Sequence, residues 1–193
     1  SLCRELGHEV MEVGAPPIDG RKVSSGFFTM AGAGIVALAE MMEPVLGRPL
    51  AGEDLEPFTI ELWEWYKGLA SDEVAAAYSG LEEVGAQMRD YASGYDVLLC
   101  PTIPDEPHEI GWIAPTLSKE VLLERTERLA GYTAVHNIAG MPGMSVPLAL
   151  SAAGLPVGSH FSAPVGQDAI LLGLAYELEA ARPWAQRLPF FGK

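Results

Sequence analysis

Between residues 143 and 181 the sequence changes its hydrophobic period, and that change fixes a layered arrangement. Met144 to Leu150 and Leu155 to Phe161 are strand-like runs separated by Ser151-Ala152-Ala153-Gly154, a four-residue connection suited to an antiparallel hairpin. Asp168 is then placed to cap a helix over Ala169 to Ala181, with Ile170, Leu171, Leu174, Ala175 and Leu178 on its buried side and Pro183 stopping it. A sheet with one apolar face followed at once by an amphipathic helix predicts an α/β fold, a mixed β-sheet flanked by helices. Upstream, Tyr95 to Cys100 is a short continuous apolar run between turn residues, the pattern of a strand buried on both faces. It leads into Pro101-Thr102-Ile103-Pro104. A loop beyond a strand's carboxyl end is a candidate pocket wall, or simply a proline-stiffened exit from the sheet. An irregular stretch follows to about Pro115, and Ser118 caps a helix predicted to run to Ile138, with Gly140 near its end.

The first half is mostly helical. Leu2 to Leu6 reads as a helix closed by Gly7, and the alternation from His8 to Val13 predicts a short strand ended by Ala15-Pro16-Pro17. Ser24 or Ser25 caps a helix from about Phe27 to Met42 whose apolar residues lie nearly all round, the mark of a buried helix. The Pro/Gly stretch at residues 44–52 is the weakest point of one continuous body. Leu55 to Ala70 and Ser71 to Ser93 form two further helices, the second with Ser71 as cap and an acidic first turn. Glu61, Glu64, Glu73, Glu82, Glu83 and Asp90 give both an acidic, solvated face.

At 49% apolar and 20% charged, the 193 residues suffice for a core, and the net charge of −14 with scattered lysines disfavours nucleic acid. No apolar run reaches the roughly 18 residues of a membrane span, and no signal peptide is visible, so the expected setting is cytoplasmic, with no membrane. Cys3 and Cys100 lack metal-ligand spacing, and His8, His108, His136 and His160 have no partner at i+3 or i+4, so no metal is expected. Ser145 sits in Gly143-Met144-Ser145-Val146-Pro147, which lacks the second glycine of a nucleophile elbow. There is no phosphate-binding or dinucleotide loop, and no cofactor is expected.

From Tyr95 onward a series of landmarks occurs in order: Tyr95-Asp96-Val97-Leu98-Leu99-Cys100-Pro101-Thr102, Tyr132-Thr133, Asn137-Ile138-Ala139-Gly140-Met141-Pro142-Gly143-Met144-Ser145-Val146-Pro147-Leu148, Gly154-Leu155-Pro156-Val157-Gly158, and Asp168 through Glu177-Leu178-Glu179 to Pro183-Trp184. Together they resemble the C-terminal part of an amidase-signature hydrolase. Tyr132-Thr133 and Glu179-Ala180-Ala181-Arg182-Pro183-Trp184 look most like the branch of 6-aminohexanoate cyclic-dimer hydrolases. An amidotransferase A-subunit branch shares the central landmarks, and a non-catalytic binding module is the alternative outside enzymology. Gly143 stands where the family usually has Ala, and His160 where Gln or an apolar residue is common.

The resemblance implies hydrolysis of a small-molecule amide by a nucleophilic serine, activated through a cis-peptide serine by a neutral lysine. Those catalytic residues belong upstream, so no catalytic residue is expected in this chain; Ser24-Ser25-Gly26 near Lys22 reads as a helix cap. What the resemblance assigns here is pocket wall: Ala130 and Ala134, one turn apart on one helix face, with Thr102, Ile103 and Gly166 as further lining. Asn137 is expected to fix the backbone of the adjoining turn. The start within a helix suggests a piece of a longer protein, one that would self-associate or pair with a missing N-terminal part.

Overall fold

The computed structural model describes residues 2–185. They fold as two compact units, one of residues 2–18, 85–107 and 131–185, the other of Asp19–Val84 and His108–Ala130. The Pro/Gly stretch at 44–52 therefore lies inside the second unit.

In the first unit, β1 (Leu98–Pro101), β2 (Gly143–Leu150) and β3 (Pro156–Ser162) form a sheet of order β1-β3-β2. Both pairings are antiparallel. The expected α/β class with flanking helices holds, and among the described residues the sheet is antiparallel rather than mixed. The hairpin closes through Gly154 at φ +77°, a left-handed backbone that glycine adopts without steric cost. The β2–β3 register slips between Val146 and Ala149, where Pro147 has no N–H to donate. One sheet face carries Val146 and Phe161 into a core with Cys3 of α1 (Leu2–Glu5), Ala163, and Leu171 and Leu178 of α7 (Asp168–Ala181). Each fully buried leucine there contributes about 1.5–3 kcal/mol.

Several expectations need correction in this unit. Among the described residues β1 has one neighbour, and it alternates in burial, with Leu99 half exposed; an apolar run on an edge strand need not be covered on both faces. His8 to Val13 forms no strand. Its backbone is held instead by side chains, Arg4 donating to the Val10 carbonyl (2.9 Å) and Tyr91 Oη to the Gly14 carbonyl (2.6 Å). In α7 Gln167 occupies the cap position and Asp168 the first turn, where its charge meets the helix dipole; Ile170 is exposed.

In the second unit, α2 (Gly20–Leu46) begins well before Ser24 and Ser25 because Asp19 is its cap, the carboxylate accepting from Arg21 N at 2.9 Å. The helix ends at Gly47, φ +69°. It is not buried all round: Gly26, Phe28, Thr29 and Gly32 are covered, while Met30, Leu38, Met41 and Val45 are exposed. Gly26 lies against Leu81, and a Cβ at Gly32 would stand 2.5 Å from Tyr66 Cβ, so the buried stripe is where neighbouring helices approach closely. By length and composition alone α2 could cross a membrane; its glycines and its two acids, Glu40 and Glu43, break the continuous run that a simple scan seeks. α3 (Pro57–Lys67) starts with proline at its first position, and α4 (Ser71–Ala92) starts with Glu73 accepting from Ala70 N at 2.8 Å. That bond is half of a capping box and puts the cap at Ala70, one residue before Ser71.

The helix predicted over Ser118 to Ile138 is two helices. α5 (Lys119–Ala130), with Ser118 Oγ accepting from Val121 N, belongs to the second unit, and α6 (Ala134–Ile138) to the first. Gly131 opens the break, consistent with its poor helix propensity. The stretch at 44–52 leads into an ordered turn, where Arg48 grips Asp54 in two bonds of 2.7 and 2.9 Å and holds its carboxyl down to about 2.

Candidate functional site

β3 sets the site by alternation: Gly158, His160 and Ser162 share the face opposite Phe161. In register with His160 are Cys100 on β1 and Ser145 on β2. Cys100 Sγ lies 3.5 Å from His160 Nδ1. The imidazole of His136, from α6, packs on that of His160 at 4.8 Å between centroids with the rings tilted by 40°. Ligand-capable atoms of Cys100, His136 and His160 all lie within 4.8 Å of one another. The two histidines are 6% and 8% exposed, and His136 Nδ1 and Ser162 Oγ have no hydrogen-bond partner.

Burial governs the charge here. It pushes His136 down to about 4, helped by the neighbouring His160, and it lowers His160 as well. It pushes the Cys100 thiol up. At neutral pH the cluster is two neutral imidazoles and a thiol. A nucleophilic cysteine needs its thiolate stabilised, so this is not an activated Cys–His pair.

Next to it, Thr102 Oγ1 and Ser145 Oγ share a 2.6 Å hydrogen bond, and Thr102 N donates to the Gly158 carbonyl at 3.2 Å. That bond passes over Gly158, where an added Cβ would meet Thr102 Oγ1 and come within 2.6 Å of Ser145 Oγ. Likewise a Cβ on Gly143 would stand 2.9 Å from His160 Nε2. The ring at position 160 occupies the space that an alanine at 143 would fill.

Of the expected pocket-wall residues, Thr102 and the half-buried Ile103 lie at the end of β1, Ala134 opens α6, and Gly166, φ +80°, is in the turn before α7. These four belong to the first unit and Ala130 to the second. The helix break removes the one-turn-apart argument for Ala130 and Ala134. Asn137 is exposed, so the burial argument for its side chain does not apply; its carbonyl accepts from Gly140 N at 3.1 Å. Ser24 and Ser25 are inside α2, Ser24 bonded to Glu127 and Lys22 paired with Glu83. A cleft of about 340 Å³ beside them is lined by Arg21, Lys22, Ser25, Glu73 and the small residues Ala76, Ala77 and Gly80.

Sequence spacing gave no sign of the Cys–His–His cluster, because its members are 36 and 24 residues apart. The hairpin register could have paired Ser145 with His160 and Gly143 with Ser162; only the docking of β1 and α6 brings in Cys100 and His136.

Comparison with known proteins supplies the context. The Amidase family model matches residues 1–172. The protein named "Putative amidase AmiC" of Mycobacterium tuberculosis is 37% identical over 191 residues, covering 96% of this chain and 38% of that protein. The 6-aminohexanoate-cyclic-dimer hydrolase of a Pseudomonas strain is 27% identical, covering 95% and 39%. A solved 6-aminohexanoate cyclic dimer hydrolase with bound substrate superposes with a TM-score of 0.85 at 26% identity, covering 96% of this chain and 40% of that one. This chain therefore spans about two fifths of the length of these relatives. It belongs to the amidase family and corresponds to the C-terminal part of its relatives.

Proposed function

We propose that the complete protein hydrolyses carbon–nitrogen bonds of small-molecule amides by Ser–cisSer–Lys acyl transfer, with the catalytic triad outside this chain. The serine oxygen attacks the carbonyl carbon, the amine leaves with a proton delivered through the lysine, and water then cleaves the acyl ester. The family match over residues 1–172 carries this reading. It is supported by the state of the one Ser–Lys grouping that tempts: Lys22 is held by Glu83, and Ser24 by Glu127, within a helix. Both side chains are engaged by a glutamate.

In this reading the chain supplies pocket wall from Thr102, Ile103, Ala134 and Gly166. The setting is cytoplasmic, with neither nucleic acid nor membrane as partner, and α2's exposed apolar residues meet the rest of the protein. The test is amide hydrolysis by the complete protein with Ala134→Leu or Ile103→Ala. The expected result is a severalfold change in KM across a series of amides of different acyl length, with kcat changed less. Unaltered KM for every amide in both variants would remove these residues from the wall.

A further inference from the structure

We propose that Cys100, His136 and His160 form a binding site for a borderline-soft divalent cation of the zinc class. The inference is independent of the amidase reading and concerns a cluster to which that chemistry gives no role. Thiolate and imidazole are the donor set that zinc selects, and two residues on adjacent strands with one from a short helix make a three-point cradle. For Zn–S near 2.3 Å and Zn–N near 2.0–2.1 Å, a tetrahedral edge between sulfur and nitrogen is about 3.5 Å. The separation from Cys100 Sγ to His160 Nδ1 is 3.5 Å. The widest separation in the set, up to 4.8 Å, would have to shorten by about an ångström on binding, within the reach of side-chain rotation.

A second observation points the same way. His136 is 94% buried by its 6% exposure, yet its Nδ1 has no hydrogen-bond partner. An unsatisfied buried nitrogen is destabilising, and a cation would provide the partner that the surrounding protein does not. Both imidazoles are already neutral, the form that ligates. Cys100 is only half buried, which gives an ion a path inward. On binding, the Cys100 S–H bond breaks, its proton passes to solvent, and the sulfur and two ring nitrogens donate electron pairs to the metal; water takes the fourth position. Gly143 belongs to the same device, since an alanine there would displace the His160 ring.

Cobalt(II) is the probe, because a thiolate ligand gives a near-ultraviolet charge-transfer band and a tetrahedral site gives intense visible bands. The purified 193-residue chain, stripped with chelator, is titrated with CoCl2 and then ZnCl2. One equivalent should produce both signals, and zinc should displace them. Cys100→Ser should abolish the charge-transfer band, and Cys3→Ala should retain it. Loss of an outer-shell partner alone costs 10–100-fold in affinity, so His160→Gln should weaken zinc by more than about a hundredfold. A wild-type spectrum without a thiolate band overturns the proposal, as does a band that survives in Cys100→Ser or vanishes in Cys3→Ala. Should a ligand variant fail to fold, the wild-type and Cys3→Ala spectra still decide.

Discussion

At the scale of residues, the site turns on two glycines and the polar groups above them. Gly143→Ala places a methyl 2.9 Å from His160 Nε2; overpacking of this kind costs about 1–3 kcal/mol. Shortening the opposing ring should relieve it. In urea denaturation, the double variant Gly143→Ala, His160→Ala should be more stable than the two single losses summed predict, a coupling of at least about 0.5 kcal/mol. Strict additivity would show that the two positions do not share space. The second residue-scale prediction concerns acid. In the metal-free chain, His136 is held near 4 against an ordinary 6.5, so the unfolded state binds a proton that the folded state refuses. Stability is then unaffected above about pH 6.5 and falls as pH drops towards 4, by about 3 kcal/mol in all. His136→Asn should flatten that fall in pH-dependent denaturation; an equally steep profile would place the acid sensitivity elsewhere. That Gly143 and His160 share space was not legible in the sequence, because it needs the strand register and the place of the ring above it.

At the scale of elements, local signals worked where the element answers to its own residues. The hairpin, with Gly154 in its turn, and the helix end at Gly7 follow from backbone preferences that no distant contact overrides. They failed where two local signals compete. Asp19 and Ser24/Ser25 are all good caps, and only the structure shows that the carboxylate of Asp19 takes the first N–H. Asp19→Ala should therefore cost about 1 kcal/mol, with Ser25→Ala costing well under half of that; the reverse order would return the helix start to the serines. The apolar stretch to Ile138 reads as one helix because its hydrophobic residues continue through Gly131, yet the chain divides there between two units. The strand expected from His8 failed for another reason: alternation describes a face, and says nothing about whether a neighbouring strand exists.

At the scale of the whole molecule, the match over residues 1–172 places the chain in its family, and its helices leave large apolar side chains exposed. Met41 and Val45 on α2 are 62% and 74% exposed. A monomer rarely leaves a contiguous apolar patch of more than a few hundred Å², so the chain alone should self-associate. Light scattering should show species larger than a monomer, reduced by Met41→Glu with Val45→Lys; a monodisperse monomer would mean that this face needs no cover. The net charge of −14 opposes such association by self-repulsion, so added salt should favour the larger species.

The central claim is that this chain carries pocket wall and not catalytic machinery. Its most direct test is the rate of hydrolysis of simple amides by the purified 193-residue chain beside the complete protein under the same conditions. The account predicts turnover by the complete protein and none above background by the chain alone. Turnover by the chain at a comparable rate, abolished by Ser24→Ala and Ser25→Ala, would contradict it.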